Sequence, residues 1–521
     1  MPRVRTRSQM ISDSRCPLTS SIVIFLCVAL ASCAGTSSSS NSPGPPPPPV
    51  AELSAADVQS IVQAAAAAVN VPYVVAVTNR EGDILAVFQK PGFSPSSIGN
   101  FNQTVDTNEL AVSLARTGAF FSNDQAPLSS RTVRFISGIH FPPGVTDTAN
   151  AALYGIENTN RGCALSTNFN SGESIPPVRS INGANPGLGV ATGKFDVNDS
   201  DPNAVNPGGV PIFKNGVLLG GVGVAGASND VAEFAAFSGA TSSGFGPSPA
   251  PPGVVFIDGI ALPFVNQTTL PAGMSAGSAA GGTYLVGPVA SRQAPPEGYL
   301  VGPNPGPVGG LSSSQVNQIV MNAVATANQT RAVIRLPDGS RAKMVIAVAD
   351  LDGTLIALYR MTDATVFSVD VAATKARNMI YFNSAARAPA DLPGVPLGTA
   401  VTSRTISFGA QPFFPPGIEG TAVGPFFTLY THDVANACTQ GSQPAGANQS
   451  GIVFFPGSEG IYVSGQLVGG LGVSGDGVDQ DDFVTSGGDA SFEPPASIRA
   501  DQVVINGVRL PYLKFPRNPT N

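Results

Sequence analysis

Two glycine-rich stretches are the first residues in this chain whose spacing bears on chemistry. Gly221-Val222-Gly223-Val224-Ala225-Gly226 and Gly470-Leu471-Gly472-Val473-Ser474-Gly475 both fit G-x-G-x-x-G. A dinucleotide site needs this pattern after the first strand of a βαβ unit. Here it falls late in each half of the chain, largely within the last strand of a hairpin, which argues against such a site. Glycines also let backbone approach a ligand closely. The strands lead toward residues 230–237 and 479–484, where a helix start would present free N–H groups able to hold a carboxylate. The competing reading is a close-packed strand followed by a capped helix.

Cations and carboxylates stand near these stretches in sequence order. Arg116 and Arg377 occupy the same place in two helical segments, with Lys375 beside the second. A guanidinium there suits a carboxylate ligand; the alternative is a helix-surface salt bridge with Glu109 or Asp370. Asp479, Asp481 and Asp482 read either as hard ligands for a cation or as the acidic start of a helix, and they lack EF-hand spacing. The two histidines, His140 and His432, do not align with one another; His140 corresponds to Phe413. Gly273-Met274-Ser275-Ala276-Gly277 fits the serine-hydrolase pattern G-x-S-x-G, but no apolar strand precedes it to build a nucleophile elbow. No H-E-x-x-H, C-x-x-C or P-loop pattern occurs, so no catalytic set is assigned.

The elements that carry these residues occur twice. Leu53-Ser54-Ala55-Ala56-Asp57-Val58 and Leu311-Ser312-Ser313-Ser314-Gln315-Val316 each open an amphipathic helix with a serine cap. Val74-Val75-Ala76-Val77 and Val345-Ile346-Ala347-Val348 begin hairpins with turns at Gly82 and Gly353. Second helices follow at 108–121 and 369–382. Ser130-Arg131-Thr132 then matches Ser403-Arg404-Thr405, and long irregular insertions hold one cysteine each, Cys163 and Cys438. A closing hairpin ends each copy on the glycine stretch. The spacing thus predicts an α+β chain of two tandem modules, 51–265 and 311–515. Each is an antiparallel sheet flanked by helices, joined by a Gly/Pro-rich linker or wrapping arm at 266–310 and followed by a tail at 516–521.

Composition limits the partners. The 521 residues include 12% charged side chains and carry a net charge of −7, which excludes a phosphate-neutralising surface for nucleic acid. Arg3, Arg5, Arg7 and Arg15 precede a short apolar run, residues 22–30, and then Leu30-Ala31-Ser32-Cys33. That run is too short to span a bilayer and fits a cleaved leader, 1–32. The Ser/Pro-rich stretch within 33–50 suits a tether. The leader resembles a bacterial lipobox, which implies lipidation of Cys33 and a membrane anchor. Ala34 after the cysteine favours, by the same resemblance, the outer membrane facing the periplasm. In such a compartment Cys163 and Cys438 either pair or stay free.

Val468-Gly469-Gly470-Leu471-Gly472-Val473-Ser474-Gly475 with Asp479-Gln480-Asp481, and Ser368-Val369-Asp370-Val371-Ala372 with Lys375-Ala376-Arg377, resemble the motifs of the GlcG/HbpS family of haem-binding modules. The first copy departs from them: Leu114 replaces the lysine, Ala225 replaces the serine, and the Asp-Gln-Asp run is missing. The resemblance implies an antiparallel sheet flanked by helices, oligomers, and binding of haem or a related tetrapyrrole. Some relatives are proposed to degrade haem or sense redox state, and others sit in glycolate or corrinoid contexts. Under it, Arg116, Arg377 and Lys375 would meet propionates. Gly223, Gly226, Gly472, Ser474 and Gly475 would line the site, while His140, His432, Cys163 or Cys438 would be the candidate iron ligands. The reading is an envelope-anchored protein that binds haem or a small acidic ligand without turnover, the second copy holding the working site. The rivals are an enzyme that degrades haem or acts on a small hydroxy acid, and a structural protein whose insertions contact a partner.

Overall fold

Serine caps start both halves of the fold by one device. In helix α1 (Ala55–Ala68), the Ser54 hydroxyl accepts from the Asp57 N–H while the Asp57 carboxylate accepts from the Ser54 N–H. Helix α5 (Ser313–Gln329) repeats this with Ser312 and Gln315. Each reciprocal pair satisfies two N–H groups at the helix start. The computed structural model describes residues 52–163, 188–193, 204–247, 255–291 and 294–521. The leader, Cys33 and the tether lie outside them. No helix among the described residues is long and apolar enough to cross a membrane.

Apolar runs joined by glycine turns then build two five-stranded antiparallel sheets of the same order. In the first, β1 (Val74–Asn79), β2 (Ile84–Gln89), β3 (Gly209–Lys214), β4 (Val217–Ala225) and β5 (Thr283–Val286) lie as β3-β4-β1-β2-β5. In the second, β6 (Gly298–Val301), β7 (Val345–Ala349), β8 (Leu355–Arg360), β9 (Ser458–Val463) and β10 (Gln466–Ser474) lie as β9-β10-β7-β8-β6. The chain is therefore α+β. The segment 266–310 is no bare linker. It supplies the edge strands β5 and β6, one to each sheet, and so occupies an edge that would otherwise present unpaired N–H and C=O groups.

One face of each sheet carries a single long helix, α2 (Thr107–Phe121) or α6 (Phe367–Phe382). The other face carries a pair, α1 with α4 (Asn229–Ser242) or α5 with α9 (Val478–Gly488). Alternation along β1 divides the core between the faces. Val75 and Val77 pack toward α1 and α4, while Val74 and Ala76 pack toward α2. The signature glycines set the distance of the long helices. A Cβ at Gly221 or Gly223 would lie 2.0 Å from the carbonyl oxygens of Ala115 and Ala111. At Gly470 and Gly472 it would lie 2.1 Å from those of Ala376 and Ala372. The glycines thus admit a helix backbone, not a ligand.

The two modules share a core. Phe121 stacks on Phe367 with centroids 4.2 Å apart, amid Leu128, Val133, Val366, Val371 and Phe455. Tyr154 stacks on Tyr430 at 4.9 Å. Full burial of side chains this size contributes roughly 1.5–3 kcal/mol each. Arg80, in the first module, meets Asp363 at 2.5 Å, and Asp363 also takes Arg335 at 2.8 Å. Cys163 and Cys438 form a disulfide across the insertions, which removes both thiols as iron ligands. Residues 50–521 accordingly make one compact unit.

Candidate ligand-binding corner

In both modules four pieces of chain converge where the glycine strand ends. They are the end of β4 or β10, the start of α4 or α9, one face of α2 or α6, and an Xaa-Pro-Gly segment entering β3 or β9. In the second module the corner is filled. Lys375 is fully buried, donating from Nζ to the Val473 carbonyl at 2.7 Å and to Asp481 at 3.0 Å. The ammonium lies 4.9 Å from the ring centre of Phe455. Burial lowers the Lys375 pKa, and Asp481 works against that shift. Burial also pushes Asp481 up to about 7 despite the lysine beside it. Ser474 donates to the Ser368 hydroxyl at 3.1 Å, closing the space further. Lys375 and Ser474, candidate ligand contacts by sequence, are thus spent on internal partners.

The first module puts smaller or apolar side chains at the same places. Leu114 stands for Lys375, Ala232 for Asp481, Ala225 for Ser474 and Asn206 for Phe455. The result is a cavity of about 260 Å³. Ile98, Leu110, Leu114, Val224, Ala225 and Ala232 line it together with Ser97, Asn206, Gly226 and Asn229, and most of its accessible surface is polar. Gly226 has φ +94, a left-handed turn between β4 and α4 that a Cβ would strain. Asn206 Nδ2 is buried and has no hydrogen-bond partner among the described residues. Sequence reasoning passed over Asn206; the signal was its exchange for Phe455 ahead of a shared Pro-Gly.

The matched arginines lie elsewhere. Arg116 donates from Nε to the Gly82 carbonyl at 2.8 Å, and Arg377 to the Gly353 carbonyl at 3.0 Å. Each pins the turn of the first hairpin to the long helix. Both are 1% exposed, and burial lowers each to about 10 while nearby carboxylates (Glu109 and Asp83, or Asp370 and Asp352) favour the charge. Both guanidinium groups are thus buried and tied to a turn by Nε rather than displayed on the helix surface. A second matched pair is equally structural. Arg131 grips Glu233 at 2.6 Å, while Arg404 grips Asp482 and, at 2.6 Å, Asp479. The acidic run 479–482 is therefore neutralised by Arg404 and Lys375. No group of His, Cys, Asp and Glu among the described residues is arranged to hold a metal ion.

His140 is buried with both ring nitrogens engaged, Nδ1 at 3.1 Å from the Thr148 carbonyl and Nε2 at 2.6 Å from Glu419. Its ring faces Phe413, the residue it aligns with. His432 is exposed on α8 (Phe427–Ala435), with no described hydrogen bond to its ring. Ser275 is exposed in an irregular stretch packed at the end of α1, with no strand before it. Gly475 packs against Lys343 and Met344.

Residues 311–488 match the family described as "Haem degrading protein HbpS-like". The haem complex of PduOC, a solved structure, is 24% identical, covering 35% of this chain and 94% of its own with a TM-score of 0.23. The Klebsiella pneumoniae protein ORFY, of family DUF336, is 19% identical, covering 34% and 88% with a TM-score of 0.23. No curated protein matches the chain.

Proposed function

We propose that this chain is an exported, membrane-tethered protein that captures haem or a related tetrapyrrole without turning it over, its first module a diverged second copy of the matched family. The observation that carries the reading is the match of residues 311–488 to a haem-degrading family. The tether reading rests on Cys33 and the Ser/Pro-rich stretch behind it, and gives a place in the cell envelope, at the outer membrane. Neither corner fits haem. That of the second module is closed by Lys375, Asp481 and Phe455. That of the first holds no histidine, methionine, cysteine or tyrosine, and its volume falls below the roughly 300–1,000 Å³ of sites for drug-sized ligands. Haem capture on this reading is a surface event with His432, whose imidazole is exposed, as the proposed iron ligand.

Haem titration of the mature, unlipidated protein from Ala34 onward tests this. A saturable Soret shift that His432→Ala reduces, with haem intact after incubation with a reductant and oxygen, is the expected result. No shift beyond that of a control protein sinks the haem reading. Loss of the macrocycle under turnover conditions replaces capture with degradation.

A further inference from the structure

We propose that a proton shared between the buried carboxyls of Glu459 and Asp489 clamps the C-terminal strap of the second module, residues 503–514. The strap then loosens as pH rises, while the matching strap of the first module does not. This device is independent of haem capture. Both straps dock by the same contacts. Thr402 and Thr405 donate to the carbonyls of Tyr512 and Pro511, as Ser129 and Thr132 do to those of Phe264 and Pro263. The Lys514 N–H reaches Asp482 on α9, and the Gln267 N–H reaches Glu233 on α4. The modules part at three positions where strap meets body. The first has Val210, Ala240 and Phe264; the second has Glu459 on β9, Asp489 at the end of α9, and Tyr512.

An apolar trio therefore suffices for the fold, and the polar one needs its own account. Glu459 and Asp489 are 2% and 0% exposed. The Tyr512 hydroxyl donates to Glu459 Oε1 at 2.5 Å. Glu459 Oε2 and both carboxyl oxygens of Asp489 are buried and meet no N–H or hydroxyl donor among the described residues. The two carboxyls face one another within hydrogen-bonding reach, which only a proton on one of them makes attractive. Neighbouring charges do not replace that proton. Arg499 lies over the Tyr512 ring, 5.1 Å from its centre, and makes no described ion pair with either carboxyl. Glu493 and Asp482 add negative charge, the latter held by Arg404, and Tyr462 acts on Glu459 from the same strand. Neither α5, which packs on α9, nor β10, which pairs with β9, carries a charged side chain. Burial holds both carboxyls above their ordinary range, and the charge of Glu459 pushes Asp489 further up. Lifting the strap takes Tyr512 off Glu459 and admits water to the pair. A raised carboxyl stabilises the docked form fully below its ordinary pKa, and that contribution is lost as pH rises through the docked one.

The experiment is hydrogen exchange of the mature full-length protein between about pH 6 and pH 8, corrected for the intrinsic pH dependence of exchange. Peptides carrying 503–514 are compared with those carrying 255–267. The opening constant of the second strap is expected to rise by up to about tenfold per pH unit, the limit for one proton, while that of the first stays level. Asp489→Asn places an N–H where the shared proton stood, and should keep the second strap closed with no pH trend. That loss of trend separates the pair from Asp481, which titrates on the same helix. A second strap that opens no more steeply with pH than the first overturns the proposal, and this comparison within one molecule needs no variant. A trend in the second strap that survives Asp489→Asn overturns it equally.

Discussion

Replacing Lys375 by leucine tests the idea that the second corner is closed for stability rather than held for a ligand. The substitution leaves Asp481 buried beside Asp482 and Asp476 with its cation gone, and leaves the Val473 carbonyl without its donor. Removing one partner of a buried pair typically costs about 3–5 kcal/mol. That cost depends on pH in a stated direction. Asp481 has its folded pKa raised from 3.8 to about 7, so its proton stabilises the native state fully below 3.8 and that stability is lost as pH rises through about 7. Without Lys375 the carboxyl is pushed higher still. Near pH 8 the variant should therefore lose the full ~3–5 kcal/mol, while near pH 5 a protonated Asp481 leaves only the ~1–3 kcal/mol of an unsatisfied carbonyl. Adding Asp481→Ala reproduces the Leu114/Ala232 combination of the first module and should recover most of the loss near pH 8. Urea denaturation of both variants at the two pH values measures this. Equal losses at both pH values, or a double variant no more stable than Lys375→Leu near pH 8, would refute the reasoning.

The remaining predictions concern groups the sequence offered as ligand contacts. Arg377→Met should cost about 1–3 kcal/mol by orphaning the Gly353 carbonyl, and should leave the haem titration unchanged. Intact stability with lost ligand binding would return Arg377 to a ligand role. Serine at both Cys163 and Cys438 opens a loop spanning a sequence separation of 275 and should cost about 2–5 kcal/mol, read as a lower denaturation midpoint. An unshifted midpoint would mean that the shared core alone fixes the insertions.

Elements with local causes were legible in the sequence. Ser54 and Ser312 announce helices because a cap is a contact between residues three apart. The hairpins announce themselves through apolar runs around a glycine turn, and the internal repeat doubles every such signal. The edge strands β5 and β6 were not legible. Their four-residue runs alternate weakly and become strands because β2 and β8 offer open edges, a cause distant in sequence. The matched arginines show in the sequence as cations on two helices, but not that a turn carbonyl lies over each, because that turn is distant in sequence. The glycine signature admits either a ligand or close packing, and the carbonyls of α2 and α6 take that space, which is the second reading. Asn206 escaped because its meaning depends on what is absent around it, namely a lysine, an aspartate and a phenylalanine supplied by three separate segments.

The asymmetry between the corners follows from how the modules are joined. A lone module that gave up Lys375, Asp481 and Phe455 together would hold a cavity beside its longest helix, at a cost that grows with the volume left empty. Here the first module does not stand alone. Its α2 ends against Phe367 of the second, its turn residue Arg80 is held by Asp363, and its insertion is tied to the second by the disulfide. These contacts lie away from the corner and do not depend on what fills it. The second module has its corner closed by an internal ion pair, and the first retains the fold while keeping space open at the end of its glycine strand. On this argument the open corner should survive changes to the second module's closed one, provided the shared core remains intact. Hydrogen exchange of the α2 amides in the Lys375→Leu/Asp481→Ala protein should therefore match that of the unmodified chain.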